Sequence, residues 1–134
     1  MIKNFKLTDG LLYRQAKLVC DNIVPYQEKV LNDAVEGASP SHAIDNFKNA
    51  AYLNKHGKKA ENGEFYGMVF QDSDVAKWIE AAAYSLQIKP DKELEQRIDE
   101  ICDIIAGAQE PDGYLDTYFT LERPDGKFKN LYEG

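Results

Sequence analysis

Two short segments of this sequence bring together residue types that could bind a polar, ring-shaped ligand. The first, residues 65–84, joins an aromatic, glycine-containing turn to a helix (FYGMVFQDSDVAKWIEAAAY), and the second, residues 108–119, follows one helix later (AQEPDGYLDTYF). Carboxylates and amides bond hydroxyl groups, and aromatic faces suit sugar rings. We therefore predict a carbohydrate-sized cleft at one rim of a helical scaffold. The side chains predicted to bind substrate are Gln71, Asp72, Asp112 and Tyr114.

Each of these side chains also has a purely structural interpretation. Asp72 or Ser73 can cap the helix that follows, and Asp74 can interact favourably with the dipole of that helix. Asp112 can stabilise an Asp-Gly turn, with Tyr114 packing beside it. The sequence leaves the structural and the binding interpretations open at both segments.

The cysteines give no sign of a metal or redox centre. Cys20 and Cys102 are the only two, and both lie among apolar neighbours on predicted helices. This setting predicts buried, inert thiols. Because the sequence contains no CxxC or HExxH motif, we predict that these residues hold no cofactor or metal.

Carboxylates and histidines do not form a recognisable catalytic set either. A glycosidase pair works only at a defined separation, which one sequence cannot supply for Glu28, Glu64 and Glu80. His42 and His56 have no neighbour that would make them a ligand or a base, so we expect structural or solvated roles. These residues alone therefore identify no catalytic pair.

The composition limits the partners. The 134 residues, 43% hydrophobic and 29% charged, suit one globular domain or part of a larger one. With 23 acidic and 16 basic residues, a net charge of -7 and no isolated basic cluster, nucleic acid and anionic membranes are not expected partners. We expect a cytoplasmic location, because the first residues form no apolar leader and no run could span a membrane.

Apolar residues at helical spacing predict the elements that position the two segments. Thr8 or Asp9 can cap the first helix, Pro25 should bend or break it near Val24, and Asp91 should cap the last helix. The predicted helices run from Leu11 to about Val35, from Ser41 or Asp45 to Leu53, from Asp72 or Ser73 to Lys89, and from Lys92 to Gln109.

The predicted fold class is all-α. Only short pieces at 68–70 and 115–119 offer any alternation typical of a strand. The helices should be antiparallel, with turns rich in Asp, Gly and Tyr at one rim, as in an α/α toroid. Four helices form only an arc of a toroid, so this one should be incomplete, with exposed edges.

Several strings resemble one family closely. They are FYGMVFQDSDVAKWIEAAAYSL, DKELEQRID and AQEPDGYLDTYF, together with the earlier VPYQEKVLND and PSHAIDNFKNAA. Their order is similar to the N-terminal part of the β-L-arabinofuranosidase family, glycoside hydrolase family 127, over roughly residues 11–134. The string GMVFQDSD-x-x-KW-x-E is the most specific. By this resemblance, residues 1–134 are the N-terminal portion of a single (α/α)6 catalytic domain and form the first arc of its barrel.

The resemblance also implies a chemistry. The family hydrolyses terminal β-L-arabinofuranosides with retention, using a zinc-bound cysteine thiolate as nucleophile and a glutamate as general acid/base. Those residues come later in the family's polypeptide, and neither Cys20 nor Cys102 matches the cysteine motif. The chain also stops before the family's His-Glu-x-Tyr helix. We therefore expect an inactive fragment whose partners in the full-length enzyme are an arabinose-containing glycan, zinc and the remainder of the barrel.

Two other functions stay open at this stage. Another α/α-toroid enzyme, such as one acting on unsaturated uronic acids, could use catalytic aspartates near Asp72 or Asp112. A helical interaction module without catalysis is the other alternative, and it should be monodisperse and melt cooperatively.

Overall fold

The computed structural model describes residues 6–129, in which every element of regular secondary structure is helical and no strand occurs. The all-α prediction is confirmed. The elements are α1 (Gly10–Leu18), a π-helical turn (Val19–Ile23), α2 (Val24–Leu31), α3 (Ala43–His56), α4 (Asp72–Ile88), α5 (Lys92–Ala108), α6 (Thr117–Leu121) and a 3-10 turn (Pro124–Gly126).

α1, the π-helical turn and α2 follow one another without a gap and together form the first helix. The sequence predicts a bend or a break near Pro25, and no break occurs there. Asp9 caps α1 by accepting the Gly10 N–H at 2.6 Å. A π-helical turn joins α1 to α2, with the Val24 N–H donating to the Val19 carbonyl. This wider turn lies directly before Pro25, whose ring has no N–H to donate to the preceding turn.

The first helix ends earlier than predicted, and α3 is shifted. The last residue of α2 is Leu31 rather than Val35. Asp33 then adopts a left-handed conformation (φ 56°), and its carboxylate accepts the backbone N–H groups of Ser41 and His42. Neither Ser41 nor Asp45 is the first residue of α3, which runs from Ala43 to His56, past the predicted end at Leu53. Gly57 (φ 66°) ends it in the left-handed region that favours glycine.

The later helices follow the sequence prediction more closely. Asp91 caps α5, because its carboxylate accepts the N–H groups of Glu93 and Leu94 at 3.0 and 3.1 Å. The cap prediction for α4 is wrong, since Gln71 holds the N-cap position and makes no side-chain cap.

Neither short strand forms. Residues 68–70 lie in a turn, and residues 117–119 belong to α6. Asp116 accepts the Phe119 N–H at 3.0 Å and thereby caps α6. A cap that stabilises a helical turn therefore outweighs the β propensity of the aromatic residues.

The core joins α4 to the first helix and to α3 and α5. The Trp78 indole is 5% exposed and donates its N–H to the Val24 carbonyl at 3.0 Å. The Cys20 thiol lies 3.9 Å from the Ser85 carbonyl. Because these two contacts pair increasing with decreasing residue numbers, α4 is antiparallel to the first helix. Trp78 therefore packs between α4 and the first helix.

The two thiols are less buried than predicted. Cys20 is half-buried and Cys102 is exposed, and both are free. Cys102 comes one position after Ile101, a residue of the buried stripe of α5. One residue turns a helix by about 100°, which places this thiol outside the stripe.

The first helix carries an exposed apolar surface. No residue of α1 or of the π-helical turn is buried, whereas α2 buries Val24 and Leu31. The exposed large apolar side chains of this helix are Leu11, Leu12, Tyr13, Leu18, Val19, Ile23 and Tyr26. We call these residues the apolar surface of the first helix. Among the described residues, no helix combines the length and apolar character that crossing a membrane requires.

Candidate functional site

Gln71 connects the aromatic loop, residues 65–70, to the segment directly before α3. Its side-chain oxygen accepts the Met68 N–H at 3.0 Å, and its amide nitrogen donates to the Ser41 carbonyl. Gly67 has a φ of 108°, and a Cβ there would lie 1.8 Å from the Gln71 oxygen. The conformation favours glycine at this position, and any larger residue would also displace the Gln71 amide.

A buried asparagine side chain on α3 forms hydrogen bonds to the backbone of the same loop. Asn46 is 1% exposed, donates to the Tyr66 carbonyl at 2.8 Å and accepts the Tyr66 N–H at 3.1 Å. Asn49 donates to the Glu64 carbonyl at 3.2 Å. The loop thus runs antiparallel to α3, and the Tyr66 ring lies 5.0 Å from that of His42.

Asp72 links the start of α4 to the start of α6. One carboxylate oxygen accepts the Thr117 hydroxyl at 2.6 Å, and the other accepts the Thr117 N–H at 2.7 Å. Burial raises the pKa of Asp72, and the nearby Asp116 charge raises it further, while the two bonds from Thr117 act in the opposite direction. This carboxylate therefore bonds a distant helix rather than the N-terminus of its own.

The turn between α5 and α6 has its own hydrogen-bond frame. The Tyr114 N–H donates to the Asp112 carboxylate at 2.9 Å, and the Glu110 N–H donates to the Tyr114 carbonyl at 2.9 Å. At the end of α5, the Asn54 amide donates to the Ala108 carbonyl at 2.8 Å. The turn is thus fixed to α3 at one end and, through Thr117, to α4 at the other.

Tyr114 is half-buried within this turn. Its ring contacts the Phe128 ring edge-to-face at 5.0 Å, and the Lys127 ammonium lies 5.0 Å from its centroid. Glu110 pairs with Lys127 and accepts the Thr120 hydroxyl at 2.7 Å. Burial raises the pKa of Tyr114, and the charges of Asp116, Glu110 and Asp72 raise it further. Both effects favour the neutral phenol, which is a hydrogen-bond donor.

The structure brings some of the predicted residues together. Asp72 and Tyr114 lie at the same rim of the helices, close enough for the Asp72 charge to raise the pKa of Tyr114. Asp112 lies exposed in the turn that carries Tyr114. Gln71 adjoins Asp72 in sequence, but its amide bonds the start of α3. That these four side chains bind substrate stays a prediction.

Several important side chains at this rim escaped the sequence analysis. Glu110 and Thr117 lie within the quoted turn segment, but their partners Lys127 and Asp72 are distant in sequence. Asn46 gave one usable signal, since it is a polar residue between the apolar positions Ile44 and Phe47. A buried amide of this kind must have a hydrogen-bond partner.

The described residues do not match a thiolate zinc site. Cys20 is half-buried and makes its sulfur contact to Ser85, whereas Cys102 is exposed. Within residues 6–129, the one group of potential ligands close enough to share an ion is Asp33, His42 and Asp45, which includes no sulfur. The Asp33 carboxylate already accepts the N–H groups that begin α3. No step of a reaction is therefore assigned to a metal held by these residues.

Comparison with known proteins gives concordant results. Residues 4–133 match the family described as the β-L-arabinofuranosidase GH127 catalytic domain. A non-reducing end β-L-arabinofuranosidase from Bifidobacterium longum is 40% identical over 131 residues, which are 89% of this chain and 19% of that protein.

Solved structures show the same relationship. The crystal structure of a GH127 β-L-arabinofuranosidase from Geobacillus stearothermophilus T6 matches with a TM-score of 0.87 and 47% identity, over 96% of this chain and 19% of that one. A second GH127 β-arabinofuranosidase matches with a TM-score of 0.70 and 35% identity, over 86% of this chain and 16% of that one. The chain thus spans about a fifth of the length of these relatives.

Proposed function

The chain belongs to the β-L-arabinofuranosidase GH127 catalytic-domain family, and we propose that it is the N-terminal portion of a hydrolase that releases non-reducing-end β-L-arabinofuranose from arabinosides. One observation carries this proposal: 47% identity and a TM-score of 0.87 to an arabinofuranosidase over 96% of the chain. Its all-helical fold is that of part of an (α/α)6 barrel, as the resemblance implied.

The residues of this chain support binding rather than bond cleavage. Tyr114 and Asp112 are the proposed contacts to the carbohydrate, because both lie on the turn at the rim and offer a phenol and an exposed carboxylate. Gln71 and Asp72 belong to the same proposed rim through their hydrogen bonds to neighbouring segments.

Nucleophile and acid/base are proposed to come from the rest of the enzyme. Burial raises the pKa of the Cys20 thiol, and the Asp21 charge raises it further, whereas a nucleophilic thiol needs a lowered pKa. Zinc is proposed for the complete enzyme, where it would activate a thiolate supplied outside these residues. A cytoplasmic location also stays a prediction.

The remainder of the barrel is the proposed partner of the first helix. α1 has no buried residue, and its apolar side chains Leu11 and Leu12 are 63% and 64% exposed. Seven exposed large apolar side chains on one helix are typical of an interface. In the complete enzyme, neighbouring helices would cover it.

The test is an activity assay on two polypeptides. One is residues 1–134, and the other is the coding sequence extended to the length of the curated relatives. We expect the longer protein to hydrolyse an aryl β-L-arabinofuranoside but not the matched α-L-arabinofuranoside, and residues 1–134 to be inactive on both. Failure of the longer protein to cleave the β-anomer would overturn the proposed activity. A 134-residue chain that is monodisperse and melts cooperatively would instead favour a helical interaction module.

A further inference from the structure

We propose that Asp72 is a positioning residue that holds the Tyr114 turn through Thr117, rather than a group that contacts the sugar. This inference rests on the proposed function, since it assigns Tyr114 as the contact to the substrate. The sequence predicts that Asp72, like Tyr114, binds substrate, and the positioning role replaces that prediction for Asp72.

The bonding of the carboxylate supports this role. Each of its two oxygens accepts a hydrogen bond from Thr117, one from the hydroxyl and one from the backbone N–H. A sugar hydroxyl would have to share these oxygens with Thr117, and any bond that it displaced would leave a buried group of Thr117 unpaired. Thr117 is 1% exposed, so its freed N–H or hydroxyl would have no access to water in exchange.

The position of Thr117 explains how the effect reaches Tyr114. Thr117 is the first residue of α6 and comes directly after the turn that carries Tyr114. The turn begins at α5, whose last carbonyls are bonded by Asn54. The link from Asp72 to Thr117 is therefore the attachment of the other end of the turn to α4.

As arranged, the pair uses both oxygens of Asp72 as acceptors. An asparagine has the same shape but only one acceptor oxygen, so it can bond both groups of Thr117 only if the hydroxyl turns to accept from the amide. Asp72→Asn should therefore weaken the attachment of α6 without changing side-chain volume. A turn held less firmly would present the Tyr114 phenol in a range of positions.

Kinetics of single and double variants in the complete enzyme test the inference. Asp72→Asn and Tyr114→Phe should each raise KM about tenfold, as expected for loss of one hydrogen bond to substrate, with kcat nearly unchanged. If Asp72 acts through Tyr114, the double variant should resemble Tyr114→Phe alone. Additive effects of the two substitutions would overturn the inference. Asp74→Asn is the matched control, since Asp74 is an exposed aspartate in the same helical turn and should leave both constants unchanged.

A second pair of variants covers the case in which Asp72→Asn does not fold. Thr117→Val removes only the hydroxyl and should raise KM, whereas Thr117→Ser keeps the hydroxyl and should restore the KM of the parent. Equal KM values for the valine and serine variants would overturn the inference.

Hydrogen exchange separates this inference from the proposed function. The Thr117 amide and residues 113–116 should exchange faster in Asp72→Asn than in Asp74→Asn, whether or not the protein cleaves an arabinoside. If the parent is inactive on every β-L-arabinofuranoside but exchange at Thr117 accelerates, the proposed function fails and the positioning role stands. Unchanged exchange in Asp72→Asn overturns the positioning role even in an active enzyme.

Discussion

The start of α4 and the first helix of the chain differ in what holds them in place. At the start of α4, Gln71 and Asp72 bond segments that precede and follow them in sequence. Along the first helix, apolar side chains such as Leu12 and Leu18 lie exposed, and the buried contacts are confined to α2. The side chains at the start of α4 bond partners within this chain, whereas the first helix presents apolar side chains suited to a further partner. Four experiments can break or sharpen this contrast.

The largest expected effect concerns the joint between the two regions. Trp78→Ala removes a 5% exposed indole and its bond to the Val24 carbonyl. We expect the free energy of unfolding to fall by about 3–5 kcal/mol, measured by urea denaturation. Tyr84→Ala on the same helix is the control, because Tyr84 is exposed and its loss should cost no more than about 0.5 kcal/mol. Equal losses would mean that α4 is not fixed to the first helix through Trp78.

A smaller effect is expected at the aromatic loop. Asn46→Ala removes the acceptor of the Tyr66 N–H and the donor to its carbonyl. Loss of these bonds should cost about 1–3 kcal/mol and accelerate hydrogen exchange at Tyr66. Asn49→Ala is the matched control, since Asn49 is only half-buried and bonds the same loop through the Glu64 carbonyl. If the two variants lose equal stability, burial of Asn46 does not determine how firmly the loop is held.

One carboxyl group in each region should have its pKa shifted, and the two shifts should be in opposite directions. Hydrogen bonds from Lys17 and Lys89 lower the pKa of Asp21 from 3.8 to about 2, whereas burial raises the pKa of Asp72. The stability that Asp21 contributes is present above pH 3.8 and is lost as the pH falls towards 2. The sign is reversed for Asp72, because the fold favours its protonated form. Stability is then lost as the pH rises from 3.8 through the raised pKa.

Carboxyl carbon shifts, followed by NMR between pH 1.5 and about 7, measure both titrations. We expect the midpoint of Asp21 to lie below that of Asp72. Asp21→Asn and Asp72→Asn assign the two signals by removing them. A midpoint for Asp72 at or below that of Asp21 would contradict the burial of its carboxylate.

The smallest stability effect is expected on the apolar surface of the first helix. Leu12→Gln changes a side chain that is 64% exposed, so the free energy of unfolding should change by no more than about 0.5 kcal/mol. Binding of a hydrophobic dye to residues 1–134 should fall, because the apolar surface becomes smaller. Arg14→Gln on the same helix is the control and should leave dye binding unchanged. A destabilisation well above 0.5 kcal/mol would show that Leu12 packs within this chain.

Local features of the fold could be predicted from the sequence. The N-caps at Asp9 and Asp91, and the extent of α5, depend on residues within one helical turn of each other. Such contacts are determined by the local order of residues, so a single sequence is sufficient to predict them. The resemblance to glycoside hydrolase family 127 is likewise a property of residue order, and the match over residues 4–133 confirms it.

Features that depend on distant partners were predicted less well. Asp72 was interpreted as a cap or a substrate contact, but it bonds Thr117, 45 positions away. Two local features also differ from the prediction. The short strand expected at 115–119 is partly helical, because Asp116 caps α6. Cys102 is exposed rather than buried, because its angular position on α5 places it outside the stripe that contacts the core.

The sequence by itself determined the helical class, most of the helix positions, the caps at Asp9 and Asp91, and the family. Only the tertiary structure decided which partner each polar side chain bonds: Asp72 bonds Thr117, Asn46 bonds the Tyr66 backbone and Glu110 bonds Lys127. The physical reason is the range of the interactions. Propensity and capping act over a few residues, whereas a carboxylate binds whichever donor the folded chain brings within about 3 Å.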